Sequence, residues 1–233
     1  MPEAVLEIRK MRKSYQGLRP LRIEELVVRA GERVALSGLD AGAAEVFVNL
    51  VTGASVPDEG DIAVLGASTA SITDGDAWLA SLDRFGIVSP RAVLLDSISL
   101  LQNLAMPFSL DIEPMSPDLA AKAAALGRDA GIPDSMLEQP VAALTPVTRM
   151  RAQLARAVAL SPSLLILEHP TATIDAADRR AFGKDVHRVA GGRGLAALIV
   201  SEDDEFSAAA AERRLRLNAL TGELKPRRRF LGF

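Results

Sequence analysis

Two short apolar runs constrain the fold more than any other feature of this chain. Residues 164–167 (LLIL) and 195–200 (LAALIV) are continuous, aliphatic and uncharged. A strand with one wet face alternates apolar and polar residues, whereas a strand covered on both faces does not. A helical pattern precedes each run, "MRAQLARAVAL" the first and "RRAFGKDVHRVA" the second. Helix alternating with buried strand implies a mostly parallel sheet with helices on both faces, an α/β fold.

The remaining stretches fill in that plan. Residues 4–9 alternate as a half-buried strand does, and "LRIEELVVRAGERVALSG" reads as strand, turn at Ala30 and Gly31, strand. The apolar stretch 44–52 predicts a helix that stops at Gly53. "VPDEGDIAVLG" is a turn and a strand, and "RFGIVSP" is a strand stopped by Pro90. Residues 117–130 have helical composition, and "RRLRLNALTGEL" closes as a hairpin. The whole of 1–233 reads as one domain, a core of about 1–90 and 150–233 with a helical sub-lobe over about 91–149.

Composition excludes several function classes. With 233 residues, 48% of them hydrophobic, the chain can bury a sizeable core. It has no cysteine, so neither disulfides nor thiolate metal sites arise. A net charge of −3 argues against general nucleic-acid binding. The N-terminus lacks the apolar core of a signal peptide, and no run of about 18 apolar residues predicts a membrane span. The C-terminal "KPRRRF" is either a solvated tail or an electrostatic contact with anionic lipid or a partner.

The stretch "LSGLDAGAAEVFVNLVTG" (36–53) has the frame of a phosphate-binding loop: strand, glycine turn, helix. Four later stretches fall in family order: "FGIVSPRAVLLDSISLLQNLAMP", "LTPVT" before "RMRAQLARAVALSPSLLIL", "LEHPT", and "LIVSEDD". Together they resemble the nucleotide-binding subunit of ABC transporters, and the resemblance covers nearly the whole chain. It implies a P-loop ATPase fold with antiparallel N-terminal strands and a helical sub-lobe.

Each of the five words departs from the family pattern. The glycine-rich motif G-x-x-G-x-G-K-S/T falls on Gly38, Leu39, Asp40, Ala41, Gly42, Ala43, Ala44, Glu45 and Val46. Ala44 stands for the lysine and Glu45 for the magnesium-binding hydroxyl. A working loop wraps backbone N–H groups around phosphates at a helix N-terminus, with lysine on the outer phosphates. Losing a charged donor costs about 1.5–3 kcal/mol. A carboxylate about 4 Å from a phosphate adds about 4 kcal/mol of repulsion at an effective dielectric of about 20. Glu45 is expected in the first turn of the helix, bonding or within reach of the backbone N–H groups of residues 41–46.

Pro90 takes the place of the glutamine that contacts magnesium and the attacking water. The signature that grips the nucleotide of the opposite subunit becomes Leu144, Thr145, Pro146, Val147 and Thr148, where proline lacks an N–H and valine adds bulk. Glu168 keeps a carboxylate on the metal side, and His169 replaces the glutamate that activates water. Glu202 replaces the histidine that contacts the γ-phosphate. A His169–Glu202 ion pair is one expected replacement, independent drift the other. Asp175 matches the aspartate of a loop at the dimer interface, and Tyr15 falls where an aromatic stacks on adenine. Glu45 and Glu168 are the matched candidates for a divalent ion.

The resemblance implies a membrane transporter's ATP-binding subunit, dimeric with itself or another cassette, on the cytoplasmic face beneath a permease. "LLDSISLLQNLAMP" looks most like the lipoprotein-release, lipid-transport and macrolide-export branch. The altered words lead to the expectation of a non-catalytic, structural or regulatory subunit that takes no cofactor, although ATP and magnesium serve the family. The alternatives are a working ATPase of unusual chemistry and a soluble scaffold without a permease.

Overall fold

A computed structural model describes residues 2–72 and 74–227. The N-terminal layer is an antiparallel sheet of β1 (Ala4–Lys13), β2 (Leu21–Arg29), β4 (Glu59–Val64) and β5 (Ala67–Ser68), in the order β2-β1-β4-β5. Between them in sequence come β3 (Arg33–Ser37) and helix α1 (Ala41–Val51). The second sheet adds β6 (Phe85–Val88), β7 (Leu164–Glu168), β8 (Ala196–Val200), β9 (Arg213–Leu217) and β10 (Leu224–Pro226), in the order β10-β9-β3-β8-β7-β6. Its neighbours pair in parallel except β10 on β9, the closing hairpin. β7 and β8 are buried at every position, which is why neither alternates.

The helices are α2 (Gly75–Leu82), α3 (Leu100–Ala105), α4 (Pro117–Asp129), α5 (Pro146–Val158), α6 (Ala176–Gly192) and α7 (Asp204–Ala210). One apolar cluster joins α3, α4 and α5 to α6 and to Val88, Leu165 and Leu167 of the sheet. On the other sheet face, α1 packs with Leu164, Ile166, Leu198 and Val200 and with the N-terminal sheet. Neither α2 nor α7 was expected from the sequence. Each is short and is started by an aspartate, Asp74 accepting from the Ala77 N–H and Asp203 from the Phe206 N–H, both at 2.8 Å.

Helix α1 begins at Ala41, three residues before the expected start. The reason is Asp40, whose extended backbone and side chain accepting from the Ala43 N–H at 2.8 Å make it the N-cap. Glu45 therefore lies in the second turn, and no acidic residue occupies the first. No helix among the described residues is long and apolar enough to cross a membrane. Of the basic C-terminal run, Lys225 pairs with Glu223 and Arg227 with Asp204, while Arg228, Arg229 and Phe230 lie outside the described residues.

Candidate functional site

A cleft of about 660 Å³ opens beyond the C-terminal ends of β3, β7 and β8, where open parallel sheets bind their ligands. It is lined by Asp40, Glu45, Pro90, Glu168, His169 and Glu202 among others, so one site gathers residues from four separate words. Arg91, Arg179 and Asp203 also face it.

The floor is built from strand ends. β3 runs out into Gly38, whose φ of 93° suits glycine, and a Cβ there would sit 2.7 Å from the Leu217 carbonyl oxygen. The Gly38 N–H donates to the Glu202 carboxylate at 2.5 Å. Glu202 is thereby engaged with the glycine turn, and no His169–Glu202 ion pair forms. His169 has a left-handed backbone (φ 42°), its N–H donates to the Val200 carbonyl at 2.8 Å, and its buried Nε2 has no partner. Such a conformation costs about 1–3 kcal/mol in a non-glycine residue.

Above the floor, one guanidinium ties two carboxylates together. Arg91 Nη1 lies 2.6 Å from Glu45 Oε1 on α1, and Nη2 lies 2.6 Å from Glu168 Oε2 at the end of β7. Glu168 is only 7% exposed in its side chain and also accepts from the Ser89 hydroxyl at 3.0 Å. A buried carboxylate is tolerated when it is paired and hydrogen-bonded, and here it is both. The expectation that Glu45 bonds the helix N-terminus is thus corrected. Asp40 takes that role with its side chain on Ala43 and its carbonyl on the Ala44 N–H at 2.8 Å. Glu45 points instead to Arg91.

The other residues singled out from the sequence lie outside this cluster. Ala44 has no exposed surface and packs into the core, Ala43 is nearly as buried, and Val46 packs against the same core. Gly42 continues the helix beside the Tyr15 ring. Tyr15 folds back over Gly17; burial, and secondarily the Asp40 carboxylate, push its phenol above its ordinary pKa. Asp175 is exposed at the start of α6 without a capping bond from its side chain. Leu144 to Thr148 start α5 away from the cleft: Thr145 caps the helix, and Pro146 falls at a first-turn position where its missing N–H costs nothing.

Arg91, Ser89 and Arg179 were not read from the sequence as site residues. Arg91 directly follows Pro90 in the second word, and its charge among apolar neighbours is the signal that could have marked it. Arg179 holds Asp203 at 3.1 Å and the Ile174 carbonyl at 2.9 Å.

Doubly covered parallel strands, an antiparallel N-terminal sheet, a helical arm and a cleft at the strand ends define an ATP-binding cassette, and the chain belongs to the ATP-binding subunits of ABC transporters, on the branch of the lipoprotein-releasing LolD proteins. The LolD lipoprotein-releasing system ATP-binding protein of Chromohalobacter salexigens is 31% identical over 166 residues, 70% of this chain and 68% of that one. The LolD protein of Alcanivorax borkumensis is 29% identical over 211 residues, covering 88% and 90%. No protein-family model matches the chain. Among solved structures, the dimeric post-hydrolysis state of the cassette MJ0796 bound to ADP and Pi superposes with a TM-score of 0.73 at 18% identity, covering 98% of this chain and 100% of that one. CbiO1 of Clostridium perfringens, part of the transporter complex cbiONQ, gives 0.79 at 17% identity over 96% and 87%.

These findings overturn the expectation that the chain takes no cofactor. Its relatives are ATP-binding proteins, and a cassette of the same fold holds ADP and Pi; ATP with magnesium is the family's ligand. The side chains fit that pair poorly as they are arranged. Glu45 and Glu168 are bridged by Arg91, Glu202 occupies the Gly38 N–H, and Ala44 offers no cation.

Proposed function

We propose that the chain is a cassette subunit that supports or regulates a membrane permease rather than driving it by hydrolysis. The observation that carries this reading is the Glu45–Arg91–Glu168 bridge across the cleft. Hydrolysis in such a site needs a cation on the outer phosphates, a metal-binding hydroxyl and a base aimed at water. Ala44 and Glu45 supply neither of the first two, and the His169 Nε2 is enclosed by protein. On this reading the vestigial positions are Gly38, Asp40, Ala44, Glu45, Pro90, Glu168, His169 and Glu202, and the subunit works at the cytoplasmic face of the membrane, paired with a second cassette.

A second concavity supports the permease partner. A groove of about 600 Å³ lies between β6 and α5, lined by Phe85, Ile87, Val93, Met106, Leu110 and Leu160. Val93, Leu110 and Leu160 are exposed along it, which leaves apolar side chains at its mouth for a partner to cover. The test is phosphate release by the chain purified from membranes with the permease that accompanies it. Release at the background of the permease alone is expected; turnover of about 1 s⁻¹ or more, ordinary for an enzyme, overturns the reading.

A further inference from the structure

We propose that Glu202 is a built-in competitor for the anionic end of a nucleotide: its carboxylate holds the glycine turn at Gly38, and a phosphate enters only by displacing it. The inference rests on the cleft being the nucleotide site and adds what restrains entry to it.

The sheet itself puts the two residues side by side. β3 and β8 run parallel with Leu36 beside Val200, and the Ser201 N–H donates to the Leu36 carbonyl at 2.9 Å. Two residues beyond that pair come Gly38 and Glu202, so the side chain at 202 meets the turn. Its carboxylate accepts from the Gly38 N–H at 2.5 Å, a short, charge-assisted bond. The next four N–H groups, of Leu39, Asp40, Ala41 and Gly42, donate to nothing among the described residues, and the one after them, of Ala43, is taken by Asp40 at 2.8 Å. Successive N–H groups in a turn attract anions. Here the chain's own carboxylates stand at both ends of the row, and each repels a second anion across a few ångströms.

Only the side chain of Glu202 is free to leave. On one side of it Ser201 is 2% exposed and bonded into the sheet. On the other, Asp203 accepts from the Phe206 N–H at 2.8 Å and from Arg179 at 3.1 Å. Glu202 itself is exposed. The contact therefore opens by rotation of one side chain on a fixed backbone, with no element of the fold displaced. Glu202 differs in this from Glu168, whose carboxylate is buried and bound by both Ser89 and Arg91.

The test titrates ADP without metal into the full chain by calorimetry and follows the Gly38 amide by nuclear magnetic resonance. Glu202→Ala, which removes the competitor, and Glu202→Gln, which keeps its shape without its charge, are each expected to bind ADP at least about fivefold more tightly than the wild type. In the wild type the Gly38 amide signal is expected to move in step with saturation, as the carboxylate leaves it. Affinities equal within about twofold in the wild type and the two folded variants overturn the proposal, and so does a Gly38 signal that stays in place at saturation. Absence of binding in all three at about 10 mM ADP overturns it as well, because removing a competitor has to uncover the site. If Glu202→Ala does not fold, Glu202→Gln alone carries the comparison; loss of the fold in both also overturns the proposal, since a competitor must be able to leave. Phosphate release scores the non-hydrolytic reading separately, so either can fail without the other.

Discussion

Two glutamates share one arginine, and their surroundings decide how much each matters. The Glu45 side chain is 53% exposed, so its pair with Arg91 is screened by water and salt. Glu45→Gln is expected to lower stability by less than about 1 kcal/mol, an effect that fades in high salt. Glu168 is buried with two donors aimed at it, and Glu168→Gln should cost about 1–3 kcal/mol in urea denaturation. Ala44→Lys tests a different quantity. The position has no exposed surface, so an ammonium there should destabilise by about 2 kcal/mol or more instead of rebuilding a phosphate contact. That Glu45, Pro90, Glu168, His169 and Glu202 would meet in one cleft was legible in the sequence because the flanking words held their register. Their partners were not, since a long arginine on a connection can reach several acids and spacing does not choose among them. Glu202 reached Gly38 instead of His169 for the same reason.

At the scale of elements, the buried strands and the helices feeding them were readable because an apolar run of strand length has few other places to go. Boundaries were set by local polar bonds that composition hides. Asp40 moved the start of α1, and Asp74 and Asp203 each began a helix too short to show periodicity. Thr145 does the same for α5, which runs for 13 residues, and Thr145→Ala should cost about 0.5–2 kcal/mol, read as a lower melting temperature. Just before β4, Asp58 accepts from the Ser14 N–H at 2.7 Å and from Lys13 at 3.0 Å, which holds its carboxyl below the ordinary value. A lowered folded pKa contributes stability above the unfolded value and loses it as pH falls through the folded one. The difference in melting temperature between wild type and Asp58→Asn is thus expected in full near neutrality and should shrink as pH drops below about 4.

Across the whole molecule, the two sheets and the helical arm are joined through two apolar clusters that both reach β7 and β8. No layer has a core of its own, so urea should unfold the chain in one transition. The single tryptophan makes this measurable: Trp78 on α2 donates its indole N–H to the Thr52 carbonyl at 3.1 Å, at the far end of α1. Its fluorescence and the far-ultraviolet circular dichroism should change together, and separate midpoints would show the arm unfolding alone. The early start of α1 has a consequence in time rather than in energy. An anion that is to take the Ala43 N–H must wait until the Asp40 side chain swings off it. Its observed association rate would then level off at the rate at which that cap opens as ligand concentration rises, instead of climbing in proportion to collisions.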